Sequence, residues 1–313
     1  MKIDMGKTAY PWTRGAAPSG ARRGEAARGE AGYGEGMADR PPPFQIQLAA
    51  PGRQTPLVFA SPHSGDRYPA DMGATASLAA LRSAEDARVD RLIASGPAAG
   101  AALIVGCIGR AYVDLNRAPD EFDPALIADA LDGPVSAKAL AGYGVAPRRA
   151  GDGADLYDRR LTRAEVEARV AWVHAPYHAA LAELMTAARA RFGRAILIDW
   201  HSMPARATGR GVDVVLGDRH GVSCDARLTR RVRSLFEAQG LAVALNRPYA
   251  GGYATQAWGR PALGFEALQV ELSRHLYWDE TAGAPSAGWG RCQSAVRRVI
   301  AALGADFAAS SGP

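Results

Sequence analysis

The chain is poor in cysteine: three in 313 residues, Cys107, Cys224 and Cys292, far apart and with no CxxC pair. Neither a disulfide framework nor a cysteine-built zinc site is expected, and a reducing, cytoplasmic setting is the natural reading. Aromatic residues are only 7% of the chain, and no Lys/Arg cluster is interleaved with them. The stacking platforms and phosphate contacts of a nucleic-acid surface are therefore missing. No run approaches the roughly 18 apolar residues of a membrane helix, and no secretory pattern opens the chain. Also lacking are the G-x-S-x-G elbow of serine hydrolases, the G-x-x-x-x-G-K-[ST] loop and a strand-linked G-x-G-x-x-G. Neither a nucleotide site nor a serine nucleophile is indicated.

The net charge of +5 is modest, and part of it lies in the first 43 residues. That stretch carries seven Lys/Arg and five Asp/Glu, and thirteen of its residues are Gly or Pro. Without an apolar period it cannot bury enough surface to offset its chain entropy, so 1–43 reads as a disordered extension. Met37 reads as the true start; the five acids argue against a targeting peptide. Residues 44–313 then form a single catalytic domain.

Within that domain, short apolar runs alternate with longer helical patterns. Leu57–Ala60, Leu103–Val105, Ala195–Ile198, Val212–Leu216, Leu241–Leu245 and Ala267–Leu272 are apolar on both parities, as strands buried on both faces should be. Between them the pattern predicts helices over 77–95, 162–192, 225–239 and 287–303. The second opens Thr162-Arg163-Ala164-Glu165, a capping-box spacing. Strands separated by helices predict an α/β fold, one mixed, mostly parallel sheet with helices on both faces.

Ligand-binding groups in such folds gather where strands end. One such end carries Ser61-Pro62-His63-Ser64-Gly65-Asp66, and another Asp199-Trp200-His201-Ser202. A lone histidine there is ordinarily just a hydrogen-bonded residue. Two of them, each beside Ser and Asp, are what a zinc hydrolase needs: three protein ligands and an open position for water. Glu271 lies inside an apolar strand, where a carboxylate is costly unless it is paired or working. Arg110 to Arg117 is dense in polar groups that are awkward to leave unpaired beside strands. His174 and His178 stand at i and i+4, but Pro176 lies between them and no glutamate follows His174, so HExxH is absent and both read as packing or hydrogen-bonding residues. His220 and His275 read as solvated or supporting residues, and Cys107 and Cys224 lack a neighbouring histidine that would make a nucleophile.

Five segments in register resemble the N-formylglutamate amidohydrolase family. They are Ser61-Pro62-His63-Ser64-Gly65, Ser83 to Asp90 (with Glu85, Asp86 and Val89), Arg110 to Arg117 (with Tyr112, Asp114 and Asn116), Asp199 to Pro204, and Pro248-Tyr249-Ala250-Gly251-Gly252. The resemblance runs from about residue 55 to 280. It implies a zinc carboxypeptidase-like fold related to aspartoacylase, and hydrolysis of N-formyl-L-glutamate to formate and L-glutamate, a last step of one route of histidine breakdown. It further implies that His63 and His201 bind zinc, or another divalent ion. The related carboxypeptidases place a glutamate three residues after the first histidine, where this chain has Asp66. Asp86, from the family's own acidic motif, is the expected third ligand, sharing a helical face with Asp90; Asp66 and Glu85 are the alternatives. Glu271 would be the general base. Arg110, Asn116 and Arg117 would bind a small N-acyl amino acid, and Arg110 would also polarise its carbonyl. Asp199 would orient a ligand, and the loop at Tyr249 would lie over the site.

Another zinc hydrolase of the same architecture, acting on a different N-acyl amino acid or a peptide C-terminus, would use the same metal residues. A metal-free binding protein would not: Glu271 and both histidines would then be idle polar groups that cost stability.

Overall fold

The computed structural model describes residues 40–129, 135–207 and 211–308. The extension and the start at Met37 expected from the sequence fall almost wholly outside these residues. From Pro41 onward the described residues form one compact unit.

Seven strands make one sheet: β1 (Phe44–Gln47), β2 (Leu57–Ser61), β3 (Ala102–Gly106), β4 (Ala195–Met203), β5 (Val214–Gly217), β6 (Val243–Leu245) and β7 (Phe265–Ser273). Their spatial order is β1-β3-β2-β4-β7-β5-β6. The β3–β2, β2–β4, β4–β7 and β5–β6 pairs are parallel; β1 and β5 run antiparallel to β3 and β7. The sheet is thus mixed and mostly parallel, as the apolar runs led us to expect. β1 was missed because its FQIQ sequence is mostly exposed and holds no apolar run; pairing with β3 supplies what propensity does not.

The helices are α1 (Leu78–Ser83), α2 (Val89–Leu92), α3 (Ala137–Leu140), α4 (Arg163–Arg169), α5 (Ala175–Phe192), α6 (Ala226–Glu237), α7 (Tyr253–Trp258) and α8 (Trp289–Ala308). Two expectations are corrected. The pattern over 162–192 is interrupted by a π-turn at Val170–His174. Pro176 has no N–H and its ring crowds the carbonyl four residues back, so the ladder widens there. The pattern over 77–95 breaks at 84–88, where the Asp86 N–H donates to the His63 carbonyl at 2.9 Å and Arg88 is left-handed, with φ 57. Asp86 therefore stands in a turn and shares no helical face with Asp90.

The start of α4 is secured locally. The Thr162 hydroxyl accepts from the Glu165 N–H, and the Glu165 carboxylate accepts from the Thr162 N–H at 2.7 Å. Thr162→Ala should cost about 1 kcal/mol of unfolding free energy, read as a lower urea midpoint at unchanged slope.

Apolar clusters cover both faces of the sheet. On one, Val58, Ala60, Ala195, Leu197 and Ala267 pack with Tyr177, Leu181 and Met185 of α5. On the other, Phe59, Ile198, Trp200 and Val270 pack with Phe236 of α6 and Val299 of α8. Strand side chains alternate between faces. Asp199 and His201 therefore continue the α5-facing series of β4, and Gln269 and Glu271 continue that of β7. In the register, Asp199 is opposite Gln269 and His201 is opposite Glu271. Where the apolar packing stops, four polar side chains occupy one face at the C-terminal ends of two adjacent parallel strands.

Candidate functional site

Above these strand ends lies a cavity of about 590 Å³ whose lining includes His63, Asp86, His201, Glu271, Arg110, Asn116 and Arg117. Three segments converge at its floor. His63 follows β2, His201 is in β4, and Asp86 is brought in by the 84–88 turn. One ligand atom from each lies within 4.8 Å of the others, and all three residues are buried. Strand β4 runs on through His201 to Met203, so this histidine sits inside the strand rather than after it, contrary to the short run expected.

The orientation of the rings suits a cation. Nδ1 of each histidine is turned toward Asp86: His201 Nδ1 donates to Asp86 Oδ2 at 2.9 Å, and His63 Nδ1 lies 3.3 Å from the same oxygen. His63 Nδ1 is nevertheless buried without a hydrogen-bond partner among the described residues, an orphan that a metal ligand would explain. On the far side, His63 Nε2 donates to Asp114 Oδ1 at 2.8 Å, and His201 Nε2 lies 2.9 Å from Asp199 Oδ2. The Asp114 carboxylate fixes the tautomer and orientation of the His63 ring, the arrangement that supports a metal-bound imidazole, and Asp199 stands behind the His201 ring.

Charges here offset one another. Burial alone would raise the Asp86 carboxyl, but the hydrogen bond from His201 and the His63 imidazole beside it hold it well below the usual range. Burial would likewise raise Asp114, which the Arg110 guanidinium and then His63 hold far down. Arg110 Nε donates to Asp114 Oδ2 at 2.9 Å, leaving its terminal nitrogens without a hydrogen bond among the described residues. Glu271 behaves oppositely: burial pushes its carboxyl up to about 7, with Asp86 and Asp199 adding to the rise against His201 and Arg110. Gln269 Nε2 donates to Glu271 Oε1 at 2.7 Å and holds the side chain.

Arg110, Asn116 and Arg117 come from one segment, fixed from three sides. His174 and His178 of the π-turn and α5 donate through Nε2 to the Arg117 and Leu115 carbonyls at 2.9 and 2.8 Å. Burial pushes the His178 ring down to about 3, so it stays neutral as that bond requires. Asn116 Oδ1 accepts from the Ala254 N–H at 3.0 Å. Gly252 must be glycine because a Cβ there would stand 2.3 Å from the Asn116 amide nitrogen.

The alternatives for the third ligand lie elsewhere. Asp66 pairs with Arg88 at 3.1 Å, and Glu85 accepts from the Tyr68 hydroxyl at 2.8 Å. His275 pairs with Asp213, and His220 is exposed in a turn. Burial pushes the Cys224 and Cys292 thiols up to about 12, which suits packing rather than nucleophilic attack. Tyr249 does line the cavity.

Sequence reasoning overlooked Arg274. It is buried, donates to the Ser83 and Glu85 carbonyls and to Ser202 Oγ, and lies 3.7 Å from Asp86 Oδ1. It ties the end of β7 to the turn that carries Asp86. Gln269, inside the Ala267–Leu272 run, and Asp114, inside the Arg110 to Arg117 segment, had no role from sequence. Only their tertiary neighbours supply one.

Two imidazoles and a carboxylate that can hold a cation, a carboxyl of raised pKa beside them, and a guanidinium with free donors make a site competent to hydrolyse a polarised acyl bond. Among the described residues no helix is long and apolar enough to cross a membrane.

Residues 55–278 match the N-formylglutamate amidohydrolase family. The chain is 34% identical over 259 residues to an N-formylglutamate deformylase of Pseudomonas aeruginosa, covering 80% of this chain and 91% of that protein. It is 30% identical over 235 residues to an N-formylglutamate deformylase of Pseudomonas putida, covering 72% and 83%. Among solved structures, an N-formylglutamate amidohydrolase from Ralstonia eutropha JMP134 aligns with a TM-score of 0.80 at 34% identity, over 86% of this chain and 99% of that one.

Proposed function

Because the chain belongs to the N-formylglutamate amidohydrolase family, we propose that it hydrolyses N-formyl-L-glutamate to formate and L-glutamate, with zinc held by His63, Asp86 and His201. The observation that carries this reading is the convergence of those three residues beside Glu271 in a cavity rich in arginine. Two imidazole nitrogens and one carboxylate oxygen are a donor set that zinc takes in catalytic sites. When bound, such an ion supplies Lewis acidity and lowers the pKa of water beside it.

The chain's own residues do the rest. Glu271 takes a proton from the attacking water as the water oxygen bonds to the formyl carbon. When the C–N bond breaks, Glu271 returns that proton to the departing nitrogen, which leaves as the amine of glutamate. A carboxyl raised toward neutrality suits both acceptance and return. The terminal nitrogens of Arg110 stabilise the negative charge that develops on the carbonyl oxygen. Arg117, with Nε bonded to the Tyr143 carbonyl at 2.8 Å, and the Asn116 amide bind the carboxylate next to the scissile nitrogen. Asp114 and Asp199 hold the two histidine rings. The free thiols fit a reducing cytoplasm.

A substrate panel tests the assignment. N-formyl-L-glutamate should exceed N-acetyl-L-glutamate by at least about tenfold in kcat/KM, since an added methyl must fit beside the oxyanion donors. Preference for the acetyl compound, or for a peptide C-terminus, would move the substrate to another acyl class.

A further inference from the structure

The cavity is lined by six cationic side chains, Arg110, Arg117, Lys138, Arg149, Arg206 and Arg274, against three carboxylates, Asp86, Asp114 and Glu271. Five of the six cations are already engaged. Arg110 binds Asp114, and Arg117 donates to the Tyr143 and Asn116 carbonyls. Arg149 lies 3.7 Å from Asp155, Arg206 donates to the Gly151 carbonyl at 2.7 Å, and Arg274 is bonded to the Asp86 turn. Lys138 is different. Among the described residues its ammonium has no hydrogen-bond acceptor and no carboxylate partner. Among the described residues its ammonium approaches the ring of Tyr249, 6.0 Å from the centroid, and Tyr249 lines the same cavity.

We infer that Lys138 binds the side-chain carboxylate of the glutamyl substrate, and so selects a second negative charge remote from the scissile bond. The inference rests on the substrate assignment proposed above and adds the residue that recognises its distal end. Arg110 and Arg117 lie along the segment that serves the reacting end, and Lys138 is tied to that segment through the backbone. The Lys138 carbonyl accepts from the Tyr143 N–H at 2.9 Å, and the Tyr143 carbonyl accepts from Arg117 Nε. The base of α3 is fixed in turn by Ser136, whose hydroxyl accepts from the Ala139 N–H at 3.1 Å. Lys138 is an exposed residue; the partial desolvation of its ammonium, then Arg117 and Arg110, push it below its usual range. An arriving carboxylate would relieve that repulsion. A lysine on a four-carbon stem also suits a carboxylate at the end of a flexible chain, which needs a point charge rather than a rigid fork.

Steady-state kinetics of the full-length metal-loaded enzyme on N-formyl-L-glutamate and its neutral isostere N-formyl-L-glutamine tests this. Wild-type enzyme should prefer the glutamate by about ten- to hundredfold in kcat/KM, the worth of one charge-assisted contact. In Lys138→Met most of that preference should vanish, chiefly through KM, and Lys138→Arg should restore it. Turnover of the glutamine compound by the same variant reports that it is folded. Wild-type preference retained in Lys138→Met would overturn the Lys138 assignment and leave the proposed reaction standing. Wild-type enzyme inactive on N-formyl-L-glutamate would overturn both.

Discussion

Replacing Glu271 with glutamine lowers kcat on N-formyl-L-glutamate by about 10²- to 10⁴-fold, the range for losing a positioned general acid–base group, and leaves bound metal at wild-type stoichiometry. The change is close to isosteric. The Gln269 amide that donates to Glu271 Oε1 finds an acceptor in the glutamine as well, and the three proposed metal ligands are untouched. Only the capacity to accept and return a proton is removed. Because the carboxylate is buried in a strand, neutralising it also removes a desolvated charge, so stability to urea should not fall. Metal analysis and single-turnover kinetics on one preparation decide the matter. Near-normal turnover would remove Glu271 as the base.

His201→Ala loses both metal and turnover. Its Nδ1 is one of three converging donors, and outer-sphere partners alone are worth 10- to 100-fold in metal affinity. Loss of a direct ligand should therefore exceed about 100-fold. The substitution also leaves Asp86 and Asp199 buried without the imidazole between them. Removing one partner of a buried pair costs about 3–5 kcal/mol, so the variant should unfold at lower urea than Glu271→Gln. Asp66→Ala is the control, because Asp66 pairs with Arg88 outside the cluster. It should bind zinc as the wild-type chain does. Zinc retained by His201→Ala, or lost from Asp66→Ala, would mean that the ligand set is wrong.

The central strands were legible because both of their faces are buried, giving apolar runs that end abruptly in polar residues. Asp199, His201 and Glu271 stand at those ends, and the pairing of β4 with β7 sets His201 opposite Glu271. Asp86 was legible as a candidate but not for the right structural reason. The helical pattern over 77–95 gives no sign of a turn that depends on a hydrogen bond to His63, more than twenty residues away. The interruption by Pro176 was visible as a residue and still underweighted against a long helical period. Arg274 and Lys138 carry no local signal at all. One is defined by three backbone and side-chain acceptors from distant segments, the other by lacking a hydrogen-bond or carboxylate partner among the described residues. Such roles exist only once the chain is folded.

The most direct measurement follows formate release from N-formyl-L-glutamate by the full-length chain, first stripped with a chelator and then given back zinc. The predicted result is that stripping abolishes formate release, and that one equivalent of zinc restores it together with stoichiometric L-glutamate. Formate release unchanged by complete stripping would contradict the account, as would a chain that holds one zinc and yields no formate.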